Sequence, residues 1–267
     1  MNKESRLQEA YLSRLEKQRR KIMAARILLA LAFFLLWETA ADRGWIDSFF
    51  FSSPSRLGRL FLSMWRDGSL FLHVGITLTE TLVSFALVVV IGLAVSLLLW
   101  LSDSVFQVLE PYLVILNSLP KSALAPLLIV WLGANSRTII VAGMSVAIFG
   151  TILNLYTGFT ETSREKIRLI YTLHGTKKDA LTKVVLPSTV PMIISIMKVN
   201  IGLCLVGVVI GEFIGARNGL GYLIIYGSQV FQLDLVILSI LILCLMDMLL
   251  YGGVTAAEKL YHRRQHA

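Results

Sequence analysis

The chain has 267 residues, of which 56% are hydrophobic and only 16% charged, and its mean hydropathy is +0.73. Soluble domains carry about a quarter charged residues and under half apolar ones, so this composition excludes a water-soluble enzyme and a disordered chain. The net charge is +8. In a soluble protein such an excess would indicate nucleic-acid binding, whereas in a membrane protein it reports which side of the bilayer keeps the basic residues.

Apolar runs of about twenty residues predict transmembrane helices, since a helix of that length crosses a hydrocarbon core about 30 Å thick. Three prolines, Pro111, Pro120 and Pro126, interrupt the third run, which we expect to be kinked and packed inside the bundle. The sequence predicts an all-α polytopic membrane domain over residues 22–257. Its six spans are expected at approximately 22–41, 76–101, 111–132, 138–157, 188–211 and 235–257.

Basic residues are concentrated in three segments between or beyond the spans. Residues 1–26, 158–187 and 258–267 hold 17 of the 25 Lys and Arg residues, and six more lie in the loops on the other side. The positive-inside rule therefore predicts that both termini and the 158–187 loop are cytoplasmic, which explains the charge without nucleic acid. Residues 1–21 have the spacing of an amphipathic helix on the inner membrane surface, or they are a charged leader that sets the topology.

No motif indicates catalysis or a bound cofactor. Cys204 and Cys244 lie inside predicted spans, where small packing residues are expected, and the four histidines are too scattered for a metal site. The phosphate-binding pattern G-x-x-x-x-G-K-[S/T] does not occur, so if the protein works by ATP, another chain must bind the nucleotide. We expect no catalytic residue, no metal and no cofactor in this chain.

The 158–187 loop is the only sizeable polar segment on the predicted inner side. A helix that starts near Ser163 is expected to end at Gly175, with the glycine in the left-handed conformation. A second short helix follows over about 176–185, and Pro187 opens the fifth span. Two short helices with an apolar patch and a basic rim suit docking of a partner, and they suit equally well a hairpin that packs on its own bundle.

Several stretches resemble one known family, the binding-protein-dependent ABC importer permeases. The EAA loop of that family, which docks into the ATPase subunit, is similar to residues 172–191, T-L-H-G-T-K-K-D-A-L-T-K-V-V-L-P-S-T-V-P. The family's proline-rich third span resembles residues 118–133, and its acidic G-L-G stretch resembles residues 211–224, G-E-F-I-G-A-R-N-G-L-G-Y-L-I. L-W-E at 36–38 and S-P-S at 53–55 also fit. These stretches are most similar to the branch of the family that imports nitrate, sulfonates and taurine. That branch also includes permeases for pyrimidine precursors of thiamine.

The resemblance implies a type I ABC importer permease with six transmembrane helices and a cytoplasmic coupling-helix loop. It implies a subunit of the inner or plasma membrane, surrounded by lipid, that pairs with a second permease subunit, most simply another copy of this chain. Two ATP-binding-cassette ATPase subunits would bind and hydrolyse the ATP. An extracytoplasmic binding protein would deliver the solute and choose it.

The resemblance also implies which residues of the loop contact the ATPase. In one respect the chain departs from the family, because the family's Glu-Ala-Ala falls on Arg168, Leu169 and Ile170, and its glycine falls on His174. The implied ATPase-coupling residues are Arg168, Ile170, Tyr171, Leu173, His174, Gly175, Thr176, Ala180, Leu181 and Pro187.

Polar residues inside the spans are candidates for the translocation path, since a charge at the bilayer centre costs at least ~2.5–3.5 kcal/mol and rarely faces lipid. Lys121 or Lys198 would offer a positive site to a passing anion. We favour the alternative, that these lysines pair internally with Glu38, Glu80 or Asp247. The path candidates are Asn117, Lys121, Lys198, Asn200 and Glu80, with Asn154 as a further neutral residue.

Glu212, Gly219 and Gly221 are predicted to occupy the outer loop after the fifth span. Glycines there suit a tight turn or a re-entrant segment that contacts the binding protein or forms an outer gate, and a simple turn is the alternative.

The runner-up function is an ATP-independent secondary transporter or channel. Such a protein would show inverted internal repeats with interrupted helices in both halves, and we find no such repeat in the sequence.

Overall fold

The computed structural model describes the backbone of residues 3–265 and, within them, the side chains of residues 17–18 and 20–260. Within these residues every regular element is a helix. Five of the described helices are long and apolar enough to cross a membrane, or six spans result if one bent helix pair counts as a span. The predicted all-α polytopic fold is therefore confirmed. Most side chains of the amphipathic segment expected at 1–21, and the end of the 258–267 tail, lie outside the described residues.

The first of two compact units comprises residues 1–63. Within it, the indole of Trp37 donates to the carbonyl of Phe51 at 3.2 Å, and the carboxylate of Glu38 accepts from the backbone N–H of Ser55 at 2.9 Å. The short L-W-E and S-P-S stretches are therefore in direct contact. The helices of this unit are α1 (Lys3–Asp42), α2 (Ser48–Phe51) and most of α3 (Pro54–Arg66).

The second unit comprises residues 64–267 and is built around α7, which packs between α4 and α10. Helices α5 and α6 also pack on α7, while α11 and α12 pack on α10. The elements of this unit are α4 (Ser69–Leu101), α5 (Asp103–Ser118), α6 (Lys121–Leu132), α7 (Ser136–Thr160), α8 (Arg164–Thr172), α9 (Lys177–Ala180), a π-helical turn (Leu181–Val185), α10 (Leu186–Gly215), α11 (Leu220–Gln229) and α12 (Leu233–Gln265).

The contact between α7 and α10 depends on two glycines that let the helix backbones approach. A Cβ atom added to Gly207 would lie 2.8 Å from the Cα of Gly143 and 2.9 Å from the carbonyl oxygen of Ala142. Small residues at helix interfaces are typical of membrane bundles, where packing rather than hydrophobic exclusion holds helices together. A larger side chain at either glycine would push the two central helices apart.

The third predicted span is bent far more sharply than a kink. Helices α5 and α6 meet at an angle of 95°, with the break at Leu119 and Pro120. Leu119 is extended (φ −62°, ψ 137°), as expected for a residue that precedes proline. Pro111 and Pro126 lie inside α5 and α6 without breaking them. Residues 102–110, which lie between the predicted second and third spans, are helical from Asp103.

The fifth predicted span is longer than expected, because the helical path runs from Lys177 to Gly215. The π-helical turn joins α9 to α10, and the N–H of Leu186 donates to the carbonyl of Leu181. Pro187 lies in the first turn of α10, as expected for the start of the fifth span, although the helical path itself begins earlier, at Lys177. A π-turn is one of the local adjustments that accommodate a proline within a continuing helix.

Candidate functional site

The end of α8 forms a Schellman turn in which histidine takes the place usually held by glycine. The N–H of Gly175 donates to the carbonyl of Ile170 at 2.9 Å, and the N–H of His174 donates to the carbonyl of Tyr171 at 3.0 Å. His174 has φ +60°, so our expectation that Gly175 would be the left-handed residue is wrong. Gly175 is required for space instead, since an added Cβ would lie 2.9 Å from the carbonyl oxygen of Ile170.

The residues predicted to contact an ATPase fall into an outward-facing and an inward-facing set. Ala180 is fully buried and Leu181 is 7% exposed; both pack in a cluster with Trp100 and Phe159, against which Ile170 also packs. These residues therefore hold the segment on its own bundle. The outward-facing predicted residues are Arg168, Tyr171, Leu173, His174, Thr176 and Pro187, of which Leu173 is 70% exposed.

Helix α9 is fixed at its start by polar contacts. Thr176 and Asp179 form a capping box, each side chain bonding the other's backbone N–H. The ammonium of Lys177 lies 3.7 Å from the carboxylate of Asp103 and 5.4 Å from the ring centroid of Trp100. Since Asp103 begins α5 and Trp100 lies in the last turn of α4, one lysine ties α9 to the junction of those two helices.

A cavity of about 340 Å³, which we call the amide cavity, lies among α5, α7 and α10. Asn117 and Asn200, both predicted from the sequence, line it together with Asn154. The amide of Asn200 donates to the hydroxyl of Thr151 at 2.8 Å, which fixes its orientation. Ser195 also lines the cavity and was missed, because a lone serine in an apolar run more often bonds its own helix.

Neither of the predicted path lysines lines the amide cavity. Lys198 pairs with Glu258, near the end of α12, so the acidic partners that we expected for it were not the right ones. Lys121 donates to the carbonyl of Leu116, and its ammonium lies 5.1 Å from the ring centroid of Phe149. Both positive charges are therefore held by the protein itself.

Glu212 is buried at the other end of α10 and holds the Gly-Leu-Gly stretch, which we call the glycine turn (residues 219–221). Its carboxylate is 1% exposed and accepts from the hydroxyl of Thr77 at 2.7 Å and from the N–H of Gly221 at 2.6 Å. The N–H of Gly219 donates to Nδ1 of His73 at 3.0 Å. The expected place in an outer loop is wrong for Glu212, because the side chain faces inward and cannot contact a docked protein.

Glu80 is placed at the same end of the unit as Glu212, apart from the amide cavity. It is 3% exposed and lines a separate cavity of about 190 Å³ together with Asn135, Ser136 and Arg217. The sequence does not indicate that Thr77 binds Glu212 or that His73 binds Gly219, because Thr77 and His73 lie more than 130 residues away from them along the chain. Their spacing of four residues on α4 is the one local signal that they share a face.

The fold and these sites define a class of protein, a polytopic helical membrane protein with a pair of short helices at one end of its second unit and a polar cavity among its helices. The sequence profile described as "Binding-protein-dependent transport system inner membrane component" matches residues 88–263. The chain belongs to this family of ABC transporter permeases, which confirms the resemblance seen in the sequence.

Curated relatives cover most of this chain. A "Probable ABC transporter permease protein" of Haemophilus influenzae is 30% identical over 89% of this chain and 95% of its own length. A "Formylaminopyrimidine transport permease protein" of Halalkalibacterium halodurans is 27% identical over 87% of this chain and 92% of its own. The "Taurine transport system permease protein" of Escherichia coli is 24% identical over 84% of this chain and 83% of its own.

Solved structures of transporters share the fold. The inward-facing MetNI methionine ABC transporter in its native crystal form matches with a TM-score of 0.54 at 21% identity, covering 68% of this chain and 94% of that one. A crystal structure of an amino acid ABC transporter with histidines matches with a TM-score of 0.55 at 18% identity, covering 76% of this chain and 98% of that one. The fold is that of type I ABC importer permeases.

Proposed function

We propose that this chain is the membrane-spanning subunit of an ATP-driven importer and that residues 164–180, the coupling segment, receive the motion of the ATPase. The observation that carries the proposal is the arrangement of this segment. Tyr171 and Leu173 are exposed side chains at the end of α8, and α9, the second helix of the segment, continues without a break into the transmembrane helix α10. A rigid helix that starts under the docking surface transmits a push directly to the spans.

The orientation and partners follow from the charge distribution and from the family. The chain lies in the inner or plasma membrane. By the positive-inside rule, both of its termini and the coupling segment face the cytoplasm. Two ATP-binding-cassette subunits bind the ATP, and two copies of this chain form the path, because six spans make half of one. An extracytoplasmic binding protein delivers a small solute, of the kind that the relatives' names give: formylaminopyrimidine, taurine, aliphatic sulfonates or nitrate.

The proposal predicts that Leu173→Asp abolishes docking of the ATPase while leaving the chain folded and inserted. Leu173 is 70% exposed, so a charged side chain there does not destabilise the isolated chain. At the interface with the ATPase the charge would lose its water, which weakens docking. We expect co-purification of the ATPase in mild detergent to fall by at least about tenfold, the size of a moderate interface hot spot. Leu173→Met keeps the apolar contact and serves as the matched control.

Leu181→Asp separates docking from folding. Leu181 lies in the buried cluster, so a charge there destabilises the bundle itself and lowers the yield of inserted protein. If Leu173→Asp left ATPase capture unchanged, the coupling role of this segment would be wrong. If the purified chain alone moved solute across liposomes without nucleotide, the chain would be a secondary transporter or channel instead.

A further inference from the structure

The amide cavity presents hydrogen-bonding groups that the protein itself does not use. Among the described side chains, the amides of Asn117 and Asn154 and the hydroxyl of Ser195 are exposed, have no hydrogen-bond partner within the chain, and line the cavity. The amide of Asn200 donates a hydrogen bond to Thr151, so this side chain lines the cavity in a fixed orientation. The free groups include both donors and acceptors, because each amide carries an NH₂ and a carbonyl oxygen.

Space for an occupant is kept by Gly150. A Cβ atom at this position would lie 3.2 Å from Oδ1 of Asn117, so a larger side chain would displace the amide or fill the cavity. The volume of about 340 Å³ is within the range of small-molecule sites, roughly 300–1,000 Å³. Apolar walls complete the cavity, from Val146 on α7 and from Val199 and Leu203 on α10.

No charged side chain of the described residues lines this cavity. The nearest candidates along the chain, Lys121 and Lys198, are held by the Leu116 carbonyl and by Glu258. An anion or a zwitterion would find no charged partner among these residues to replace the water that it gives up, whereas an uncharged polar solute loses only hydrogen bonds that the amides replace. Protein sites for sulfonate-like or phosphate-like anions use arginine, lysine or helix N-termini.

We propose that the amide cavity is the solute's stopping place in the membrane and that it accepts an uncharged, hydrogen-bonding solute with apolar faces, such as a small heterocycle or amide, rather than an anion or a zwitterion. This inference rests on the proposed function as an importer subunit. It narrows the solute classes found among the relatives to the uncharged one.

The charge preference of the cavity can be measured with cysteine reagents. In a Cys244→Ala background, Asn154→Cys or Val199→Cys places a thiol on either wall, and the parent chain reports any reaction of the buried Cys204. Purified protein is treated with negatively charged, positively charged and neutral methanethiosulfonates, and each rate is divided by that of a free thiol in solution. We expect the three ratios to agree within about fivefold, since charge-lined clefts raise the local concentration of an opposite charge by 10–10³.

Two results would overturn the inference. One is a preference of tenfold or more for either charged reagent at both thiols. The other is a solute carrying a formal charge, identified by mass spectrometry in the binding protein isolated with the complete importer. If the chain still captures its ATPase but shows either result, the inference about the cavity is wrong and the proposed function stands. If the chain captures no ATPase, the proposed function is wrong, whatever the reagents show. Two thiols on opposite walls guard against one variant failing to fold.

Discussion

At the scale of single residues, the decisive feature is the carboxylate of Glu212 inside the glycine turn. It accepts hydrogen bonds from Thr77 and Gly221, and the hydroxyl of Thr77 in turn accepts from the N–H of Leu220 at 2.8 Å. Buried polar groups are stable only when such bonds are made, so the turn and the carboxylate depend on each other. The two glycines are needed because any side chain there would collide with the carboxylate.

We therefore expect Gly219→Ala to destabilise the folded chain. Gly219 has φ +113°, a conformation that costs a non-glycine residue roughly 1–3 kcal/mol, and the added Cβ would press on Glu212. The melting temperature in detergent should fall clearly. Gly252→Ala in α12 is the control, since nothing lies within 4 Å of its added Cβ and alanine favours a helix interior. Equal melting temperatures for the two variants would show that the glycine turn does not require glycine at position 219.

At the scale of elements, the coupling segment combines a fixed inner face with an exposed outer one. Ala180 and Leu181 bury the start of the long helix against α4 and α7, and Lys177 ties it to the junction of α4 and α5. The Schellman turn at His174 then sets how α8 leaves α9. The geometry of the outer face therefore depends on a backbone conformation that histidine adopts with some strain.

His174→Gly should stabilise the coupling segment, and His174→Val should weaken it. The left-handed conformation costs an L-residue about 1–2 kcal/mol, which glycine avoids and a β-branched residue increases. The His174 side chain is exposed, so few contacts are lost by either change. Limited proteolysis within residues 161–176, followed in detergent, should be slower for the glycine variant and faster for the valine variant than for the parent. The opposite order would contradict the assigned turn.

At the scale of the whole second unit, α7 lies at the centre of the bundle and α10 runs along its length. Helix α10 joins the coupling segment at one end through the π-helical turn, lines the amide cavity along its length and holds the glycine turn at the other end. The ion pair of Lys198 and Glu258 joins α10 to the last helix across 60 residues of sequence. One continuous helical path therefore connects α9, the amide cavity and the glycine turn.

The ion pair should show energetic coupling in a double-mutant cycle. Both side chains are mostly buried, at 17% and 21% exposure, so removal of one partner leaves a poorly solvated charge on the other. We expect Lys198→Met and Glu258→Gln each to lower thermal stability and the double variant to recover part of the loss, with a coupling energy of about 0.5–3 kcal/mol. Strictly additive losses in detergent melting would mean that the pair contributes nothing.

Several features could be predicted from the sequence because they are local properties of the chain. The lengths of the apolar runs fix where spans lie, and the motifs at 118–133, 172–191 and 211–224 are enough to indicate the permease family. The neutral residues Asn117 and Asn200 could be singled out because any polar group inside a span is costly. Pro120 marked the break in the third span, but the 95° bend depends on how α5 and α6 pack on α7.

Only the tertiary structure decided which face of each span points inward. Lipid tails are as apolar as leucine, so a membrane helix can be apolar on every side, and its periodicity does not separate lipid-facing from buried positions. For this reason the sequence could not predict that Lys198 pairs with Glu258. Outside the spans it could not tell the exposed Leu173 from the buried Leu181, because Leu181 is buried by residues of α4 and α7 that are distant along the chain. The sequence by itself determined a six-run membrane permease, and the packing of its helices decided that Glu212 is buried and that the cavity is lined by amides instead of charges.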